Sequence, residues 1–544
     1  MENSLATNIK SLFRLALVVS IPFFILVILG LFKIPNTLNY FKEVIGFGFL
    51  TLLFFSVTVL FSKTKNRQFL CLISVIVLSV LLFIKLSFYH NYNVKLSASA
   101  LFVIFETDTT ESADFLANYF DSFVTISGIL IVIIIPLLVI YILKHIKISG
   151  QFKLLKLIAL VFFIVSSFLI YKRFNSENLI ITSYQSYSEY SSLIKDLKTD
   201  LAKPLSSFVT VEKSDDTPET HIVIIGESTS NWHMQLYGYD RPTNPKLTEI
   251  KDQLIIFDSV ISPHVHTIIS LDKILTLSDF NSPNKKNNTS IVQLANAAGY
   301  DTYWISNQRP VGLHERISSI IANAAKEKYF VATENSDEVI YDESLLPVLD
   351  TVLKKAPKKK IIFMHLIGTH GRFVKRYPEK FNYFKTDKPN AKFKHEKALQ
   401  LINEYDNAVR YNDSVVREVI DRVKSQQTNS FVLYFSDHGD ELYDTMDLVG
   451  HNEYWATRPM YEIPFIAWFS GAYKQSNTYF KTFSSYKNRA YNLEDFIYSF
   501  SDLANIRFKE LDSTKSIFSN TFIRKQRLIK EGEDYDKRVK LLDK

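Results

Sequence analysis

At 544 residues the chain exceeds one ordinary domain, so at least two units are expected. Its 63 Lys and Arg against 56 Asp and Glu leave a net charge of +7, yet no Arg-rich helix, zinc finger or aromatic RNA-binding signature accompanies it, which argues against a nucleic-acid partner. The single cysteine, Cys71 inside an apolar run, excludes an intrachain disulfide and a thiolate nucleophile in the polar part of the chain.

Five stretches are apolar and long enough to cross a hydrocarbon core of about 30 Å: Phe13–Phe32, Val44–Phe61, Phe69–Phe88, Val124–Leu143 and Leu154–Tyr171. Soluble helices rarely lack polar residues on every face for this long. The first stretch reads as a retained span, because it is long, lacks a clear small-residue cleavage site and is followed by four more. Lys63, Lys65 and Arg67 lie between spans two and three, and Lys144, His145, Lys147, Lys153 and Lys156 lie around the connection between spans four and five. The loop Tyr89–Phe123 instead carries Glu106, Asp108, Glu111, Asp114 and Asp121 with a single Lys95. The positive-inside rule then puts the N-terminus in the cytoplasm and everything after span five outside, although Lys33 and Lys42 in the first outer loop run against it.

Residues 172–220 read as a connector. Tyr184–Leu201 has Tyr, Leu and Ile at roughly helical spacing, which suits either an amphipathic helix at the membrane surface or a solvated linker helix. From His221 onward, short apolar runs alternate with amphipathic segments. His221–Ile225, Asp301–Ser306, Lys360–Leu366, Phe431–Phe435 and Ile463–Phe469 are expected as buried strands, and Ile291–Ala298 and Asn403–Lys424 as helices. The pattern predicts a five-helix transmembrane bundle over residues 1–171, an amphipathic connector over 172–220, and an α/β soluble domain over 221–544 with a mostly parallel central sheet.

Reactive groups in such sheets collect at the carboxyl ends of strands. Gly226-Glu227, Gly368-Thr369-His370 and Asp437-His438-Gly439 each follow a predicted strand. Glu227, Asp437 and His438, joined by His370 and His451, offer mixed oxygen and nitrogen donors, a set that suits zinc or manganese better than calcium. Such a centre needs a hydroxyl to activate. Thr267, in Ser262-Pro263-His264-Val265-His266-Thr267 ahead of the apolar run Ile268–Leu277, would sit at a helix N-terminus. A simple helix-capping role fits it equally, and Ser228, Thr229 and Ser230 compete on the same chemistry.

Further segments carry a resemblance. They are Ile224-Ile225-Gly226-Glu227-Ser228-Thr229, Leu236-Tyr237-Gly238-Tyr239-Asp240-Arg241-Pro242-Thr243-Asn244-Pro245, His266-Thr267, Gly299-Tyr300-Asp301-Thr302, and Trp304-Ile305-Ser306-Asn307-Gln308. His365-Leu366-Ile367-Gly368-Thr369-His370-Gly371, Tyr405-Asp406-Asn407-Ala408-Val409-Arg410-Tyr411 and Ser436-Asp437-His438-Gly439 complete the set. In order and spacing the chain resembles the phosphoethanolamine transferases of Gram-negative inner membranes, within the alkaline phosphatase and sulfatase superfamily. The resemblance implies an alkaline-phosphatase-like, sulfatase-like catalytic domain in the periplasm. It implies zinc ligands at Glu227, Thr267, Asp437 and His438, Thr267 as nucleophile, and His370 and His451 binding the phosphoryl group or a second zinc. It further implies phosphatidylethanolamine as donor and the lipopolysaccharide core or lipid A as acceptor. Members acting on lipid A commonly carry periplasmic disulfides, which this chain cannot form; Gly-Glu-Ser-Thr with Leu-Tyr-Gly-Tyr resembles more the branch that modifies core sugars. A related glycerol-phosphate transferase or phosphodiesterase is the alternative. No C/S-x-P-x-R motif points to a sulfatase, and the intact ligand set argues against a non-catalytic membrane sensor.

Overall fold

The computed structural model describes residues 2–96, 101, 120–146, 153–202, 205, 218–282, 288–310, 317–332, 339–356 and 358–542. Glu106, Asp108, Glu111, Asp114 and Lys147, used above for topology, lie outside the described residues, as does most of 203–217 in the expected connector. The chain divides into two compact units, with the main boundary between Tyr190 and Ser191.

The first unit is helical: α1 (Glu2–Val19), α2 (Ile21–Lys33), α3 (Thr37–Leu60), α4 (Thr64–Tyr92), α5 (Ser122–Leu143) and α6 (Lys153–Lys172). Helices α3 to α6 are each long and apolar enough to span a membrane, and α1 with α2 make a fifth span bent by 43°. The first span expected from Phe13 to Phe32 is therefore bent within its length. Pro22 follows the break; it has no N–H to return to the preceding turn, and its ring crowds that turn's carbonyl. In α5 a π-helical segment, Ile129–Ile134, interrupts the regular winding. Lipid-facing apolar side chains such as Phe32, Phe69 and Leu154 stay exposed, while Leu15, Val75, Leu78 and Leu82 fill the bundle interior. Inside the bundle Lys85 Nζ meets Glu43 Oε2 at 2.5 Å, and the Tyr89 hydroxyl donates to Glu43 Oε1 at 3.0 Å. Helix α7 (Leu179–Ala202) covers the amphipathic stretch and carries the unit boundary within it.

The second unit is built on a seven-stranded sheet: β1 (Glu219–Gly226), β2 (Leu254–Ile256), β3 (Asp301–Ser306), β4 (Glu327–Phe330), β5 (Lys359–His365), β6 (Phe431–Ser436) and β7 (Phe465–Phe469), in the order β2-β7-β6-β1-β5-β3-β4. β1, β3, β4, β5 and β6 are mutually parallel, and β7 runs against both neighbours. Central strands are buried on both faces, which is why they read as continuous apolar runs. The described helices of this unit include α8 (Thr267–Leu275), α9 (Ile291–Ala297, closed by a Ser290/Gln293 capping box), α10 (Leu345–Leu353) and α11 (Glu396–Ser425). α11 lays Ile402, Val409, Val416 and Val423 into the core shared with Ile222, Ile362 and Val432. Ile225 pairs with His365 and Gly226 with Ser436, so β1, β5 and β6 end side by side and release Glu227, Leu366 and Asp437 at one edge.

Candidate active site at the sheet's carboxyl edge

Close packing forces the shape of the loops that leave this edge. A Cβ on Gly439 would lie 2.2 Å from the Pro459 carbonyl oxygen, so only glycine lets the segment after His438 pass. Gly368 adopts φ +53°, and a Cβ there would lie 2.7 Å from the Glu227 carbonyl oxygen. Asp342 accepts from the Ile367 and Gly368 amides at 2.9 and 3.0 Å and fixes that turn. Ser228 is held at φ 57°, and the Tyr405 hydroxyl braces it by donating to the Ser228 carbonyl and accepting from the Ser230 amide, both at 2.8 Å.

Glu227, Asp437 and His438 converge with one ligand atom each within 4.8 Å of the others, and all three are buried. Thr267 comes from the far side on the first residue of α8. Its hydroxyl donates to Glu227 Oε1 at 2.9 Å and lies 3.4 Å from His438 Nε2. His266, not Thr267, is the N-cap, so the helix-capping explanation for the threonine does not apply. Among its rivals, Ser228 also donates to Glu227 Oε1, at 3.1 Å, but is fully buried. Thr229 is engaged with Thr369 and the Glu227 carbonyl, and Ser230 caps the next turn through the Trp232 amide. His451 lies beside His438 with ring centroids 4.3 Å apart, and its Nδ1 is 2.6 Å from Asp440 Oδ1. His438, Asp440 and His451 form a second set of convergent donors. His370 is near enough to act electrostatically on Glu227 and His451, and its Nδ1 is buried without a hydrogen-bond partner among the described residues.

The electrostatics are those of a site with too many charges for its burial. Desolvation pushes the Asp437 carboxyl up, and Glu227 beside it pushes it further. Desolvation opposes ionisation of Glu227 too, but the hydrogen bond and charge of His438, backed by His370, hold it well below the usual carboxylate range. Against its own desolvation, His438 is raised to about 10, chiefly by Asp437 and Glu227. Among the described residues Asp437 Oδ2 is buried with no hydrogen-bond partner. A divalent cation fits this donor set, because it would satisfy that oxygen and replace the proton that two adjacent buried carboxylates otherwise demand.

Several participants escape sequence reasoning. Asp440 stands three residues after Asp437, and only the turn at Gly439 brings it back onto His451. Gln308 donates to Glu227 Oε2 at 2.9 Å. Glu453 pairs with His264 Nδ1 at 2.5 Å, and although burial opposes it, His264 holds the Glu453 carboxyl down to about 2. Burial drives His266, beside this pair, down to about 3 and keeps it neutral. An acidic residue just past Asp437-His438-Gly439 was the one available signal.

Comparison with known proteins shows the family. The family described as Sulfatase matches residues 219–506. Phosphoethanolamine transferase EptC of Escherichia coli O18:K1:H7 is 33% identical over 482 residues, covering 83% of this chain and 82% of that protein. Phosphoethanolamine transferase CptA of Salmonella typhimurium is 31% identical over 482 residues, with the same coverage. The crystal structure of the C-terminal periplasmic domain of the Escherichia coli EptC, in complex with Zn, superposes with TM-score 0.58 at 32% identity, over 61% of this chain and 96% of that one. The integral membrane protein EptA of Neisseria meningitidis shares the fold of both units, with TM-score 0.65 at 19% identity over 94% of this chain and 97% of that one.

Proposed function

Since the chain belongs to the phosphoethanolamine transferase family and carries its sulfatase-type domain, we propose that it transfers phosphoethanolamine from phosphatidylethanolamine to an envelope glycolipid, the lipopolysaccharide core or lipid A, through a covalent intermediate on Thr267. The observation that carries this reading is the Thr267 hydroxyl set between Glu227 and His438. In the first step Thr267 Oγ1 attacks phosphorus, its proton passing to the Glu227 side. The bond from phosphorus to the diacylglycerol oxygen breaks, and a histidine at the site, His370 or His451, returns a proton to that oxygen. In the second step an acceptor hydroxyl attacks the same phosphorus and gives its proton to that histidine (an acceptor phosphate oxygen attacks already deprotonated, the histidine then recovering its proton from water), and Thr267 leaves with the proton held on the Glu227 side.

Glu227, Asp437, His438 and Thr267 would hold zinc, or manganese in its place, which when bound lowers the threonine pKa and neutralises phosphoryl charge. Glu227 and His438 orient the hydroxyl before any donor arrives, and His451, its Nδ1 held by Asp440, turns its remaining nitrogen towards the reacting group, where the protonated imidazole is the form that donates.

On this reading residues 1–171 anchor the protein in the bacterial inner membrane, 172–220 tether, and 221–544 catalyse in the periplasm, with the N-terminus cytoplasmic. The loop lysines support that orientation, as do relatives whose C-terminal domains are periplasmic. The test has two arms: cleavage of a fluorescent phosphatidylethanolamine by the purified full-length protein, and mass spectrometry of envelope glycolipids from cells with and without the gene. Cleavage, with loss of a 2-aminoethyl phosphate increment from one glycolipid, is expected. No cleavage and an unchanged profile would sink the reading.

A further inference from the structure

Next to the catalytic loop, two open cavities of about 730 and 600 Å³ share Asp240 and Asn390 as a common wall and form one groove. Their sizes fall in the range of small-molecule sites. The groove opens on the same edge of the sheet as Thr267. The Tyr237 hydroxyl on its floor accepts from the amide of Phe465, the first residue of antiparallel β7, and Asp258 follows the end of β2. β7 and β2 stand two and three strands from β1, which displaces the groove by about 10–15 Å along the sheet from the end of β1, where Glu227 leaves it, at ordinary strand spacing.

Its walls are two loops, 231–242 and 383–394, and both are pinned to one helix. On α11, Asp406 Oδ2 accepts from Arg241 Nη1 at 2.5 Å and Asn403 Oδ1 accepts from Arg241 Nη2 at 2.7 Å, while the guanidinium lies 3.9 Å from the Phe384 ring centroid. Asn403 Nδ2 donates to the Asp387 carbonyl at 3.0 Å, and Asn407 Oδ1 accepts from the Tyr383 and Phe384 amides at 3.0 and 2.8 Å. Arg410, on the same helix, donates to the Pro242 carbonyl. Tyr405 of that helix braces the catalytic loop. One helix face of buried polar residues thus fixes the groove and the nucleophile's surroundings together, a degree of preorganisation a passive surface does not need.

The lining selects among ligands. Carboxylates at Asp240, Asp258 and Asp387 stand among the cations Arg241, Lys388 and Arg458 on a lining that is polar and apolar in turn, which suits a ligand of mixed character better than a bare anion or a bare acyl chain. Aromatic side chains at Trp232 and Tyr383, which carry the Arg458 and Arg410 guanidinium groups over one face, leave their other surface beside the amide of Asn390 and those carboxylates, a match for the C–H faces and hydroxyl edges of a saccharide. Lys388 and Lys394 suit phosphate groups carried on it. We propose that this groove binds the saccharide portion of the acceptor glycolipid, so that acceptor choice is made away from the metal-ligand cluster.

The inference rests on the transferase reading above, and its test keeps the two apart. Binding of delipidated core oligosaccharide is measured by calorimetry on full-length Thr267→Ala protein, with and without Asp240→Ala plus Asn390→Ala. Cleavage of fluorescent phosphatidylethanolamine is measured on the same groove double variant with Thr267 intact. A Kd raised about tenfold, roughly 1.4 kcal/mol, with donor cleavage within about twofold of wild type, is expected. An unchanged Kd, no saccharide binding to the parent protein, or a polypeptide as the groove's occupant overturns the groove assignment while leaving the transferase reading standing. Failure of the unsubstituted enzyme to cleave the donor strikes the transferase reading and leaves the binding result to stand by itself.

Discussion

Thr267 and Glu227 meet across forty residues of chain, the threonine hydroxyl donating to the carboxylate at 2.9 Å. The contact brings the first residue of a helix onto the loop that leaves the central strand. Thr267→Ala is therefore expected to reduce transfer by about a thousandfold or more, the usual scale for deleting a covalent nucleophile. Melting temperature and membrane insertion should stay near wild type, because the variant keeps the helix and loses one hydroxyl. Residual transfer within tenfold of wild type would assign the nucleophile elsewhere.

Asp440→Asn tests the support of His451. The carboxylate holds Nδ1 at 2.6 Å and so fixes which ring nitrogen faces the reaction. Partners of this kind cost about 10–100-fold in activity when removed. Steady-state transfer should fall by that amount with little change in the thermal melt.

Gly439→Ala should be damaging without touching any reactive atom. The new Cβ would sit 2.2 Å from the Pro459 carbonyl oxygen, so the loop carrying Asp437 and His438 must move. Overpacking of this kind costs about 1–3 kcal/mol, readable as a lowered melting temperature of the full chain together with lost activity.

His233 gives a pH signature away from the reaction centre. It is buried, with Nδ1 2.6 Å from Asp406 Oδ1 and Nε2 3.3 Å from Asp444 Oδ1, and against its desolvation these carboxylates raise it to about 10. A group whose folded pKa exceeds its unfolded value near 6.5 binds its proton more tightly in the folded state. Its stabilisation is complete below about pH 6.5 and is lost as pH rises towards about 10. Thermal melts across that window should fall more steeply for wild type than for His233→Gln, and parallel curves would contradict the assignment.

Much of this was legible in the sequence because the signals were local. Four spans and five strands follow from apolar runs, and Glu227, Asp437 and His438 from strand-end motifs. The bend at Pro22 was hidden by continuous hydropathy on either side of it. Strands β2 and β4 are three- and four-residue edge strands with too little pattern to register, and the antiparallel sense of β7 leaves no mark, since an apolar run carries no direction. Asp440 and Gln308 acquire partners only through the fold. The polar residues of α11 read as one family motif, but what they hold, Arg241 and the 383–387 loop, is tertiary information.

On the proposed mechanism a phosphoethanolamine group is carried on Thr267 between the two half-reactions. The direct measurement is peptide mass spectrometry of full-length enzyme quenched after mixing with phosphatidylethanolamine in the absence of acceptor. A phosphoethanolamine adduct on the peptide containing Thr267 is expected, and it should disappear when acceptor glycolipid is added. Donor cleavage with that peptide unmodified, or with the adduct on Ser228, would contradict it.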